Sequence, residues 1–120
     1  MNPLVSVIVP IYNAAPFLKE TLDSIIASTY RPIEIVMVDD GSQDNSLNIA
    51  QDYCTYHPDC MVIAQANQGV SAARNKAIQS AQGTYILPVD ADDKIGDTFI
   101  QQAVEVMEKN DNIRVVGCRC

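Results

Sequence analysis

The sequence has no uninterrupted apolar stretch near the roughly 20 residues that cross a bilayer. Residues 4–12 come nearest, and Ser6 and Pro10 interrupt them. The chain therefore reads as soluble. Its start, Met1-Asn2-Pro3, lacks the basic, apolar and small-residue regions of a signal peptide, which predicts a cytoplasmic protein. Positive charge is scarce: 8 Lys and Arg face 15 Asp and Glu, for a net -7. Nucleic acid would be repelled, and a phosphorylated ligand would need a divalent cation between itself and the surplus carboxylates. Gly41, Gly69, Gly83, Gly96 and Gly117 form neither a dinucleotide fingerprint nor a phosphate loop ending in Gly-Lys-Ser/Thr. Dehydrogenase and P-loop NTPase readings fall. The spacing of Cys54, Cys60, Cys118 and Cys120 matches no zinc ribbon or finger, so these read as reduced thiols. The lone His57 has no accompanying nucleophile pattern and reads as a helix-terminus residue.

What remains is a single α/β domain over residues 1–120. Its 48% hydrophobic and 19% charged composition is that of an ordinary globular unit. Residues 4–9 are mostly β-branched and apolar, as in a strand covered on both faces, with Pro10 as its stop. Asn13 is then expected to cap a helix opening near Pro16, with Phe17, Leu18, Leu22, Ile25 and Ile26 as its apolar face and Arg31-Pro32 as its end. A second strand over 33–38 leads to Asp39-Asp40-Gly41-Ser42, and Asp44 or Ser42 caps a helix towards Tyr56. A third strand over 60–64, an Ala-rich helix over 71–81 ended by Gly83, and a fourth strand over 85–89 containing Pro88 follow. An amphipathic helix with Phe99, Ile100, Ala103, Val104 and Met107 precedes a last strand over 113–116. Strands alternating with helices predict three layers, α/β/α, around a mainly parallel sheet of Rossmann-like type.

Ligands bind such sheets at the carboxyl ends of the strands, in the crevice where strand order reverses. The polar clusters fall at those ends: Tyr12-Asn13, Asp39-Asp40-Gly41-Ser42, residues 65–69, and Asp90-Ala91-Asp92-Asp93. In an extended segment Asp90 and Asp92 point to one side and Ala91 to the other, so two like charges share a space. Carboxylate oxygens without His or Cys suit magnesium or manganese, and the expected ligand is a phosphate ester. Asp39 and Asp40 are adjacent and face opposite ways. One is available to hydrogen-bond a nucleotide base or ribose, while the other stabilises the loop or the next helix start. Arg74, near a helix start among small residues, suits an anion, and Tyr12 suits stacking on a base.

These residues resemble the family 2 glycosyltransferases of GT-A fold along essentially the whole chain. The resemblance rests on four ordered motifs: Ser6-Val7-Ile8-Val9-Pro10-Ile11-Tyr12-Asn13, Val38-Asp39-Asp40-Gly41-Ser42-Gln43-Asp44, Asn67-Gln68-Gly69-Val70-Ser71-Ala72-Ala73-Arg74-Asn75, and Asp90-Ala91-Asp92-Asp93, the last like a DXD motif. It implies a nucleotide-diphosphosugar donor, UDP-sugar foremost. Pro10, Tyr12 and Asn13 would line the base pocket, Asp39 would hydrogen-bond the uracil or other base, Asp40 would belong to the same nucleotide-sugar site, and Arg74 would lie beside the nucleotide. Asp90 with Ala91 would lie at the ribose. Asp92 would hold Mn2+ or Mg2+, with Asp90 as a second candidate ligand. Transfer to a glycan or lipid-linked acceptor hydroxyl would invert the anomeric carbon, as in polysaccharide or glycoconjugate synthesis for the cell envelope, in the cytoplasm or at the inner face of the membrane. Two positions depart from the pattern: Pro88 stands where a large apolar residue is usual, and Ala77 where Gly is common. The family's general base and acceptor-binding half follow the matched region, so the resemblance implies a truncated enzyme that supplies donor and metal binding. Attachment at a membrane would then use segments outside this chain, and an open sheet edge would favour self-association. The competing readings are a non-catalytic nucleotide-binding module, a receiver-like regulatory domain and a purely structural module.

Overall fold

A computed structural model describes residues 2–109. Val5–Ile11 (β1), Ile33–Asp40 (β2), Cys60–Gln65 (β3) and Tyr85–Pro88 (β4) form one parallel sheet in the order β3-β2-β1-β4. Ala15–Ile26 (α1), Ser46–Tyr56 (α2), Val70–Ser80 (α3) and Phe99–Lys109 (α4) connect and cover it. The period-two pleat sorts the core. Val5, Val7, Val9 and Ile11 of β1 join Ile33, Ile35 and Met37 of β2 beneath α1, α2 and α4, whereas Ile8, Val36 and Val38 face Ala73 and Ala77 of α3. The result is the expected three-layer α/β/α arrangement. Ala77 is fully buried there, so a small residue lets α3 lie close against the sheet.

Right-handed crossovers explain the two layers. Successive steps from β1 to β2 to β3 put α1 and α2 on one face. The step from β3 back across the sheet to β4 puts α3 on the other. Strand order therefore reverses between β1 and β4, where a ligand crevice is expected.

Several local expectations need correction. Pro10 lies within β1, paired with Val38. The β1–β4 ladder ends at Ile8 and Pro88, so the N–H that Pro10 lacks would point past the end of β4. Pro88 is likewise tolerated. Tyr85 N–H donates to the Leu4 carbonyl just before β1 and Val89 N–H to the Ile8 carbonyl within it, so the nitrogen of Pro88 faces the other way, where β4 has no partner strand among the described residues. Gly83 does not end α3, whose cap is the extended Ala81. A side chain at Gly83 would begin 2.5 Å from Ser6 Oγ, so glycine there permits the close approach to β1. Phe17 is not in the core. Leu18, Thr21, Leu22 and Ile25 form the buried face of α1, and Phe17 is 51% exposed. The strand expected over 113–116 lies outside the described residues, as do Cys118 and Cys120. Arg31 completes the end of α1 by donating to the carbonyls of Ile26, Ser28 and Tyr30.

Candidate functional site

The loop after β2 is closed by its own hydrogen bonds. Gly41 turns the chain at φ 72°, and a Cβ there would lie 2.8 Å from the backbone nitrogen of Asn67, so glycine is required on both counts. Asp40, 2% exposed, points to the α3 side. Its Oδ1 accepts from Gln65 Nε2 (3.0 Å) and Gln68 N–H (2.8 Å), and its Oδ2 from Asn67 Nδ2 (3.2 Å) and Gly69 N–H (2.9 Å). Burial pushes this carboxyl up, and the donors outweigh it and leave it below the usual carboxylate value. All four interactions hold the loop, the second of the two roles expected of this adjacent pair.

Asp39 differs. It is equally buried and registers with Ile11 of β1; Oδ2 accepts Ser42 N–H at 3.1 Å, while Oδ1 is buried without a partner. A buried acceptor left unmade costs on the order of 1–3 kcal/mol, so this oxygen is open to a donor from a ligand.

Asn13 also takes a different part from that expected. It adopts φ 50° and does not cap α1, whose N-cap is Ala14. Its Oδ1 accepts from Gln43 N–H (2.8 Å), and its own N–H donates to Ser42 Oγ (2.9 Å). The first amides of α1 are satisfied from the neighbouring loop: Ala14 N–H donates to Ser46 Oγ (2.8 Å) and Ala15 N–H to Asp44 Oδ2 (3.1 Å). Asp44 Oδ1 accepts from Ser46 N–H at 2.9 Å, so one carboxylate serves the starts of both α1 and α2. The bond with Ser46 foremost holds Asp44 below the usual carboxylate value. Asn13 thus clasps the loops after β1 and β2 together through both its side chain and its backbone N–H.

The segment after β4 is a turn, not the extended segment expected: Asp93 N–H donates to the Asp90 carbonyl at 3.0 Å. Ala91 is buried, Asp90 and Asp92 are exposed, and carboxylate oxygens of Asp90, Asp92 and Asp93 lie within 4.8 Å of one another. Burial, then the charges of Asp90 and Asp92, push the Asp93 carboxyl above its ordinary value. This is an all-oxygen donor set. Neighbouring oxygens around a six-coordinate magnesium ion sit about 3 Å apart, so a small rotation of these exposed side chains suits the cluster to Mg2+ or Mn2+. Arg74 Nη2 lies 4.0 Å from Asp90 Oδ1, both half-exposed, and Arg74 Nε is buried without a partner.

Both chain segments open onto one recess of about 240 Å3, lined by Pro10, Tyr12, Asn13, Ala14, Phe17, Val70, Asp90, Ala91 and Asp92. It lies at the β1/β4 reversal. Six of the expected site residues line it, with Arg74 reaching it through Asp90 and Asp39 standing beside the end of β1. A larger hollow of about 460 Å3, with Arg31, Pro32, Asp59 and Cys60, lies at the opposite ends of the strands. Sequence reasoning missed Phe17, Val70 and Asp93. Asp93 was visible as the third acid of its motif, but nothing local separates an outward Phe17 from a core one. His57 caps α2 as expected, with its ring stacked on Tyr53 at 4.1 Å.

The comparisons with known proteins agree in direction. The sequence profile of the family described as "Glycosyl transferase family 2" matches residues 6–119. An uncharacterized glycosyltransferase of Bacillus subtilis, EpsJ, is 47% identical over 118 residues, 98% of this chain and 34% of its own length. Among solved structures, S. aureus TarS in complex with UDP-GlcNAc is similar at TM-score 0.81 and 31% identity, over 92% of this chain and 32% of that one. The mannosyltransferase PcManGT from Pyrobaculum calidifontis, in complex with GDP-Man and Mn2+, is similar at TM-score 0.83 and 31% identity, over 89% of this chain and 33% of that one. The chain spans about a third of the length of these relatives. The α/β fold is thus that of GT-A glycosyltransferases, and by the extent of these matches the chain belongs to glycosyl transferase family 2.

Proposed function

We propose that this chain forms the donor-binding part of an inverting glycosyltransferase that moves a sugar from a nucleotide-diphosphosugar to an acceptor hydroxyl. The observation that carries the reading is the shared recess, where a half-exposed aromatic, Tyr12, meets an acidic turn at the strand-order reversal. Tyr12 stacks on the base, and the unpartnered Asp39 Oδ1 accepts a base N–H, so the orphaned acceptor is satisfied only in the complex. Arg74 lies beside the diphosphate. Asp92, with Asp90 and Asp93, holds Mg2+ or Mn2+; when bound, the cation supplies Lewis-acid neutralisation of the departing diphosphate. Binding of UDP-GlcNAc by TarS and of GDP-Man with Mn2+ by PcManGT supports this class of donor. The acceptor is a glycan or a lipid-linked glycan, met on the cytoplasmic side of the membrane. Among the described residues no helix is long and apolar enough to cross a membrane.

Calorimetric titration with UDP, UDP-glucose, GDP and ADP, each with and without manganese, tests the reading. Manganese-dependent binding of one nucleotide is expected, with Asp92→Asn weakening it about tenfold or more. Equal binding by wild type and Asp92→Asn would remove Asp92 from the metal site.

A further inference from the structure

Helix α1 carries a buried hydroxyl that the donor site does not account for. Thr21 is 1% exposed, and its Oγ1 lies 2.8 Å from the Ala91 carbonyl and 3.2 Å from the Phe17 carbonyl of its own helix. A helical threonine ordinarily returns its proton to the carbonyl four residues back. Here the nearer acceptor is in another segment, and a hydroxyl has one proton to donate. That acceptor belongs to the buried residue between the exposed Asp90 and Asp92.

The neighbourhood shows what the contact does. Residues 91–97 lie along α1 and the turn after it. Ile95 N–H donates to Ser24 Oγ (3.2 Å), Lys94 Nζ pairs with Glu20 Oε2 (2.9 Å), and Thr29 N–H donates to the Asp97 carbonyl (2.8 Å). These three act after the acidic turn; the Thr21 contact acts inside it. Three carboxylates with oxygens inside 4.8 Å repel one another and tend to open the turn. Anchoring the Ala91 carbonyl from behind fixes the plane of the Ala91-Asp92 peptide, and with it the point from which the Asp92 side chain departs.

We propose that Thr21 is a positioning residue that holds the acidic turn in its metal-binding shape from the buried side. The inference rests on the donor-site reading above. A hydrogen bond to the backbone of a ligand-bearing turn acts as outer-shell partners of metal ligands do, and removing it is expected to weaken manganese affinity about tenfold.

The test measures Mn2+ affinity of the full chain by the electron paramagnetic resonance signal of free Mn2+, with saturating UDP and separately with GDP, for wild type, Thr21→Val and Thr21→Ser. Thr21→Val keeps the volume and loses the hydroxyl, whereas Thr21→Ser keeps it. The expected result is a loss of about tenfold in Thr21→Val, wild-type affinity in Thr21→Ser, and nucleotide affinity at saturating Mn2+ unchanged in both. Equal Mn2+ affinity in wild type and Thr21→Val overturns the proposal and leaves the donor-site reading intact. An equal loss in Thr21→Ser, or a parallel loss of nucleotide affinity at saturating Mn2+, overturns it too, since packing and not the hydroxyl would then be responsible. Absence of Mn2+ binding by wild type with either nucleotide overturns the donor-site reading and this inference together. Should Thr21→Val fail to fold, Thr21→Cys, with its weak donor in similar volume, replaces it with the same expectation.

Discussion

Two acidic segments at the carboxyl ends of β2 and β4, the strands that flank β1, are built in opposite ways. After β2, Asp40 and Asp44 are surrounded by donors, and both carboxyls are held below their usual value. After β4, Asp90, Asp92 and Asp93 have mainly one another, and the Asp93 carboxyl is pushed up by burial and by its neighbours' charges. The first segment is satisfied by the fold itself, apart from one oxygen of Asp39. The second is left electrostatically incomplete. Charge that the protein satisfies internally shapes a site, and charge that it leaves unsatisfied is available to a ligand.

The largest test of this contrast is Asp40→Ala, which strands several buried donors at once. It is expected to lower unfolding free energy by about 3 kcal/mol in urea denaturation, whereas Asp92→Asn leaves stability unchanged or slightly raised in the absence of metal. A similar loss in both would mean that the acidic turn is as structural as the β2 loop.

A pH titration sharpens the same contrast. The folded values of Asp40 and Asp44 are depressed, so their stabilisation is present above the ordinary aspartate value of 3.8 and is lost as pH falls through their folded values below it. That of Asp93 is raised, so it takes up its proton above 3.8, and stability if anything rises as pH falls through that value. On descent from neutral pH, manganese binding should weaken before circular dichroism reports any loss of folded chain, because the Asp93 value is raised and those of Asp40 and Asp44 are lowered. Simultaneous loss of both signals would remove the distinction.

The smallest effect concerns the Lys94–Glu20 ion pair at 2.9 Å, whose side chains are 65% and 62% exposed. Lys94→Ala should change unfolding free energy by less than about 0.5 kcal/mol, because solvent screens such pairs. A larger loss would show that this pair, and not buried contacts, anchors the segment after the acidic turn.

Much of the architecture was legible because its signals are local. The β-branched runs of β1 and β2, the helical spacing of Leu18, Leu22 and Ile25, and the acid clusters beyond the strands all lie within short windows. The errors arose where a distant partner outweighed a local preference. Pro10 was read as a strand stop, but β1 continues because β4 has already ended beside it. Asn13 was read as a cap, but Ser46 and Asp44 satisfy the α1 amides from another loop.

The sequence by itself determined the alternation of strands and helices, the four ordered motifs and an oxygen-rich donor set, since each depends on residues close along the chain. Only the tertiary structure decided that Tyr12 and Asp92 share a recess, that Asp40 is committed while Asp39 keeps a free oxygen, and that Thr21 reaches the Ala91 carbonyl. The physical reason is strand order: β4 pairs with β1 only after the chain has crossed the sheet, and that crossing brings together residues with no local signal of each other.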